Sequence, residues 1–205
     1  DLQVQNLIWA YRALGEQLRR RLDDKADSSQ SAFRAPHSAL ESARRALKLA
    51  EEVARTRYPV ERDFVRAHWL LGAAHRDVGD GLSEAEHHLH EALERCRRIN
   101  MVDHEADILI DLARLRREQN PPDEAEAQRL AEEASVIAER CGYVLQEADA
   151  HLELAKLARD RCELDLAREH AEQAHQLATC DGPPDYTYKA AYVEAERLLE
   201  ALGGG

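Results

Sequence analysis

At 205 residues the chain is long enough for one or two ordinary domains or a single repeat array, and its 44% hydrophobic content suffices for a core. A net charge of −12 argues against general affinity for a phosphate backbone, which needs a positive face. No run approaches the roughly 18 uncharged apolar residues of a membrane-spanning helix, and no signal peptide is visible.

Ala, Leu, Glu and Arg dominate, while Pro, Gly and Phe are scarce, a composition that favours helix over strand. The chain opens on Asp1 rather than Met, which points to a piece of something larger. Cys96, Cys141, Cys162 and Cys180 lack any CxxC spacing. They read as buried or half-buried thiols of a cytoplasmic protein rather than a disulfide framework.

In chain order, the apolar periodicity predicts nine helices, over 3–22, 37–57, 61–79, 83–99, 103–119, 123–141, 145–161, 164–179 and 185–202. Residues 23–36 are polar and aperiodic and read as a mobile loop after the first helix. Ser38-x-x-Glu41 and Ser83-x-x-Glu86 have the capping-box spacing, and Asp123-x-x-Glu126 is its acidic counterpart. Breaks fall at Gly79-Asp80-Gly81, Asn120-Pro121-Pro122 and Gly182-Pro183-Pro184. Residues 203–205 read as a flexible tail.

A repeat runs through these elements. Leu14-Gly15, Leu71-Gly72, Leu112-Ala113 and Leu154-Ala155 each precede a helix with small residues at fixed steps. Those helices carry Ala43/Leu47/Ala50, Ala85/Leu89/Ala92, Ala127/Ala131/Ala134 and Ala167/Ala171/Ala174. Small residues at a helix crossing let two backbones approach closely, and repeating the crossing builds a solenoid. The best-matched stretches, 105–115 and 147–157, are offset by 42 residues.

This pattern resembles the tetratricopeptide repeat over residues 3–180, with a period of about 42 in place of the usual 34 or so. Longer repeats of this kind are similar to those of kinesin light chains and of the repeat tails of bacterial signalling ATPases of the NACHT and related classes. Most units lack the family's helix-ending Pro, and Trp9 and Trp69 lie one place later than its usual aromatic. The resemblance implies an all-α, right-handed α-solenoid forming one domain over 1–202. Its four helix pairs would span 3–57, 61–99, 103–141 and 145–179, closed by a capping helix at 185–202.

In tetratricopeptide arrays the first helix of each pair lines the concave face. Counting the small residue as position 8, position 12 is Arg19, Arg76, Arg117 and Arg159, an arginine ladder. Position 9 adds Arg114 and Lys156, position 5 adds Arg12 and Trp69, and position 2 adds Trp9 and Arg66. Arg suits forked hydrogen bonding to carboxylates, and Trp and Arg are frequent binding anchors. The resemblance therefore implies a module that binds a protein or peptide, acidic in character, or another domain of the same chain. The alternative for the same arginines is pairing with the adjacent Asp77, Glu118 and Asp160. The two tryptophans could equally pack between repeats.

Other chemistry is thinly represented. His87, His88 and His90 share one helix, but no third ligand can be identified, so neither metal nor cofactor is expected. His68 and His151, at repeat position 4, are expected to pack within their helix pairs. There is no nucleophile elbow, Walker loop or dinucleotide fingerprint, so the chain reads as non-catalytic. Single-stranded nucleic acid would want more stacking aromatics. A second function compatible with the pattern is a sensor or autoinhibitory segment of a multidomain bacterial signalling ATPase or protease, where a fold-level analogy carries little weight.

Overall fold

A computed structural model of the chain describes residues 29–78, 81–180 and 187–203. Those residues form eight α-helices. They are α1 (Ser29–Thr56), α2 (Glu61–Val78), α3 (Leu82–Arg98), α4 (Val102–Glu118), α5 (Glu124–Cys141), α6 (Val144–Asp160), α7 (Leu164–Thr179) and α8 (Lys189–Gly203). The chain divides into two compact units, Asp1–Val102 and Asp103–Gly205. The helix expected over 3–22 lies outside the described residues, as do Trp9, Arg12 and Arg19.

Most predicted ends hold within a residue or two, and the exceptions have physical causes. α1 starts at Ser29, so helix replaces part of the loop expected over 23–36, and Ser38 sits inside it rather than capping it. The helix runs through Pro36, whose missing N–H forfeits one bond to the carbonyl four residues back. Gln30, Ala32, Arg34 and Ala35 are ordinary helix formers, and local polarity hid that propensity.

α3 starts at Leu82 with Gly81 at the cap and no side-chain capping bond, so Ser83-x-x-Glu86 is not a capping box. The Gly81 carbonyl instead accepts from the Ala85 N–H at 2.8 Å. A β-carbon on Gly81 would lie 2.6 Å from His75 Nδ1, so the turn has room only for glycine. At Asp123 only the N-cap half of the acidic box forms: its side chain accepts from the Glu126 N–H at 3.2 Å, while its own N–H goes to the Arg116 carbonyl at 2.9 Å. Gly203 belongs to α8 rather than to a tail, and α8 starts at Lys189, later than expected.

Three helix ends share one closing turn. Asn100, Gly142 and Cys162 each take positive φ, at 54°, 69° and 63°. The next N–H then reaches back five residues: Met101 to Cys96 (3.1 Å), Tyr143 to Ala138 (2.9 Å), Glu163 to Ala158 (2.9 Å). This is the left-handed cap that satisfies a helix's last carbonyls, and Gly142 adopts it without the steric penalty a β-carbon brings.

In the first unit, α1 packs on α2 and α2 on α3; in the second, α5 packs on α6, α6 on α7, and α8 on both α6 and α7. The interfaces are built on alanine. Ala43, Ala46, Ala85, Ala92, Ala127, Ala131, Ala134, Ala167, Ala171 and Ala174 have no exposed surface. Larger residues fill in around them: Leu70 and Leu71 against α1, and Leu152 and Leu198 in the cluster joining α6, α7 and α8.

Polar clamps tie the pairs at their edges. Arg95 on α3 holds Glu61 of α2 at 2.9 Å and Glu91 at 2.7 Å, with its guanidinium 4.7 Å above the Phe64 ring. Arg161 reaches from the end of α6 to Glu124 and Gln128 of α5. Arg168 donates to the Leu202 carbonyl at 2.9 Å, satisfying an end group of α8 from α7.

All four cysteines are free. Cys96 is buried and Cys180 half-buried, but Cys141 and Cys162 are exposed, against expectation. Both exposed thiols sit where a helix ends, Cys141 as the last residue of α5 and Cys162 in the turn after α6, where the apolar stripe no longer faces a neighbour. Among the described residues no helix is long and apolar enough to cross a membrane.

Candidate functional site

The sequence of the first helices segregates charge along their length. α4 carries Asp103, Asp107 and Asp111 and then Arg114, Arg116 and Arg117. α6 carries Glu147, Asp149 and Glu153 and then Lys156 and Arg159. Acids near a helix N-terminus and bases near its C-terminus each favour the helix dipole, so the polarity is locally stabilising. Contacts between the two helices pair rising numbers with rising numbers, Arg114 with Asp149 and Glu153 and then Arg117 with Glu153 and Asp160. The helices are therefore parallel, and their basic halves lie side by side.

Glu153 is the centre of this face. It is 1% exposed and receives Arg114 Nε at 3.1 Å, Arg117 Nε at 3.2 Å and Lys156 Nζ at 2.7 Å. Burial by itself would raise its pKa, but Lys156, Arg114 and Arg117 outweigh burial and hold the carboxyl well below the usual range. The converse holds for Arg114: burial opposes its charge, yet Glu153, Asp149 and Asp111 raise its pKa further. One carboxylate thus orients three cations.

Around this centre lie further acids. Asp111 is paired with Arg114 at 3.3 Å, and Lys156 also meets Glu194 of α8 at 2.7 Å. Tyr188 donates to Asp149 Oδ2 at 3.0 Å. Toward the N-terminal halves the acids crowd one another. Burial first, and then Asp111 and Asp149, push Asp107 up to about 7. Burial pushes Asp149 up to about 6 despite Arg114.

The arginines singled out by spacing meet different fates. Arg117 contacts Glu153, Glu118 at 3.3 Å and Asp160 at 4.0 Å. Arg159, at 41% side-chain exposure the most open of them, holds the neighbouring Asp160 at 2.8 Å. Arg114, Arg117 and Lys156 are thereby brought together, and Asp160 links Arg117 to Arg159. In the first unit Arg76 is 9% exposed and held by Asp77 at 3.0 Å, while Arg66 and Trp69 are half-buried on α2.

Glu153, Asp111, Tyr188 and Glu194 were not singled out from the sequence. Glu153 lies between Leu152 and Leu154 on a buried stripe with Lys156 three residues on, and a lone acid on a buried stripe is the signal that could have found it.

His68 and His151 pack inside their helix pairs as anticipated, each opposite another histidine. His68 Nδ1 lies 3.0 Å from His88 Nδ1, and His151 Nδ1 lies 3.1 Å from His170 Nδ1. Among the described residues no group of three or more His, Cys, Asp or Glu side chains is arranged to hold a metal ion. A cavity of about 360 Å³ opens beside α1, α2 and α3, with Arg44, Lys48, Glu51 and Glu84 around a floor of Leu71, His75 and His88.

Residues 63–128, from α2 into α5, match the model of the tetratricopeptide repeat family. That stretch is a tetratricopeptide repeat segment, and such repeats generally mediate protein–protein interaction. Among solved structures, the crystal structure of BtubC (BKLC) from P. vanneervenii is similar with a TM-score of 0.60 and 16% identity. The match spans 98% of this chain and 90% of that one, and at this identity the likeness is one of fold. No curated protein matches the chain.

Proposed function

We propose that the chain is a protein-interaction module whose second unit takes an acidic segment along the C-terminal halves of α4 and α6. The segment comes from a partner protein or from another part of the parent chain. The observation that supports this is the burial of Glu153 beneath Arg114, Arg117 and Lys156. A guanidinium already fixed on one edge loses little rotamer freedom when its remaining N–H groups meet a carboxylate. Arg159 extends the row outward, and the exposed Glu118 and Asp160 hold the positions that a partner's carboxylates would take over. Exposed ion pairs of this kind are weak, so exchanging one carboxylate for another costs little. Four free cysteines fit a reducing, cytoplasmic setting.

Titrating isotope-labelled protein with a glutamate-rich peptide tests the reading by NMR. The Arg114, Arg117 and Arg159 side-chain N–H signals are expected to shift together with nearby backbone amides of α4 and α6. Shifts confined to other helices, or equal shifts with a lysine-rich peptide, would count against it.

A further inference from the structure

Two histidine pairs occupy the same place in two different repeats. His68 and His151 lie four residues before the small residues Gly72 and Ala155, and His88 and His170 lie three residues after Ala85 and Ala167. In the intervening repeat the same register gives Leu109 and Leu130, at 0% and 3% exposure. A register filled by buried leucines in one repeat and by a histidine pair in two others is a packing position. The imidazoles add something leucine lacks, a proton balance.

We propose that His68–His88 and His151–His170 are acid-labile clasps, which loosen the α2–α3 and α6–α7 pairs as pH falls, while α4 and α5, which carry buried leucines at that register, do not respond. The chemistry follows from the nitrogen separations of 3.0 and 3.1 Å. In the neutral pair one Nδ1–H donates to the other ring's Nδ1 lone pair. A first added proton can go to the donor ring's outer Nε2 and leave that bond in place. A second must go onto the accepting Nδ1, which turns the acceptor into a donor and sets two N–H groups and two charges against each other.

The surroundings decide the balance. At the first pair, His75 from α2, His87 from α3, Arg44 from α1 and Arg95 from α3 disfavour further positive charge, while Glu84 and Glu91 favour it. Burial prevails, aided by His88 at His68 and by His87 and His75 at His88, and both are held down at about 4. At the second pair, burial first and then His170 hold His151 at about 4. An unfolded chain takes up these protons near pH 6.5, whereas the folded one resists until about pH 4. Over that window the unfolded state binds more protons, so stability falls as pH falls. Asp107 and Asp149 act in the opposite sense. Their raised values mean that the folded second unit gains stability on acidification, lost again as pH rises through about 6 to 7. The first clasp, in the other unit, is therefore the cleaner reporter.

Hydrogen exchange of the full chain at pH 7.5 and 5.0, corrected for intrinsic rates, tests the proposal because local opening is read element by element. Backbone amides of α3 and α7 are expected to lose at least about tenfold more protection than those of α5. The His68→Leu/His88→Leu variant, which copies the leucines of that register, is expected to flatten the response in α3. A uniform loss across α3, α5 and α7, or an unchanged response in that variant, would overturn it. Should the double variant fold poorly, histidine NMR titration of the unaltered protein decides. Midpoints well below 6.5 for His68 and His151 support the clasps, and midpoints near 6.5 refute them.

Discussion

Gly72→Ala is expected to destabilise the first unit, although alanine is the better helix former by about 1 kcal/mol. A β-carbon at Gly72 would lie 2.5 Å from Leu89 Cγ, 2.8 Å from Leu89 Cδ2 and 3.1 Å from the Ala85 carbonyl oxygen. Leu89 has no exposed surface and little freedom to swing aside, and the Ala85 contact is backbone. Overpacking of this kind costs about 1–3 kcal/mol, and contacts this short belong at or beyond the top of that range. A net loss remains after the propensity gain, and larger residues at 72 should prevent the α2–α3 pair from closing.

The same register explains why other repeats tolerate alanine there. Position 72 is glycine opposite Leu89, while the equivalent pairs are Ala113 with Ala131 and Ala155 with Ala171. A large residue on one helix is matched by the smallest on its partner. Leu89→Ala alone should cost about 2–5 kcal/mol by leaving a cavity. Adding Gly72→Ala to it should cost far less than the two changes separately, because the double variant rebuilds the alanine pair of the later repeats. A double-mutant cycle by denaturant unfolding should give a favourable coupling above about 1 kcal/mol, whereas simple additivity would refute the matched packing.

Glu153→Ala is expected to be the most damaging single change in the second unit. It leaves Arg114, Arg117 and Lys156 facing one another with their shared counter-charge gone. Removing one member of a buried ion cluster costs about 3–5 kcal/mol. Glu153→Gln, which keeps the shape and some hydrogen bonding, should cost less, and Glu118→Gln at the exposed rim less than about 1 kcal/mol. The lowered Glu153 pKa fixes the sign with pH. Its contribution is present above the unfolded value near 4.5 and is lost as pH falls below it. Unfolding midpoints of Glu153→Gln and the parent should therefore converge in acid. Equal stability of the two at pH 7 would show that the cluster contributes nothing.

Helix positions and the small-residue crossings were legible because alanine spacing is a local signal repeated several times along the chain. Ala85/Leu89/Ala92 and Ala127/Ala131/Ala134 all turn inward, as their spacing implies. What spacing does not carry is who meets whom across helices. Arg114, Arg117 and Lys156 stood out by periodicity, but the acid that gathers them sits on another helix for two of the three. The start of α1 was obscured for a different reason: Pro36 and a polar run look like a loop when propensity is weighed without the packing that follows. His68 and His151 were placed inside their helix pairs, while the opposing His88 was read only together with His87 and His90 on its own helix.

Charge reversal at the open end of the row is the most direct test. With Arg159 replaced by Glu, calorimetric titration of a glutamate-rich peptide should show binding clearly weakened while the unfolding midpoint changes little. The unaltered protein's affinity should weaken as salt rises. Undiminished binding by the reversed variant, or affinity indifferent to salt, would contradict the assignment of this face to an acidic partner.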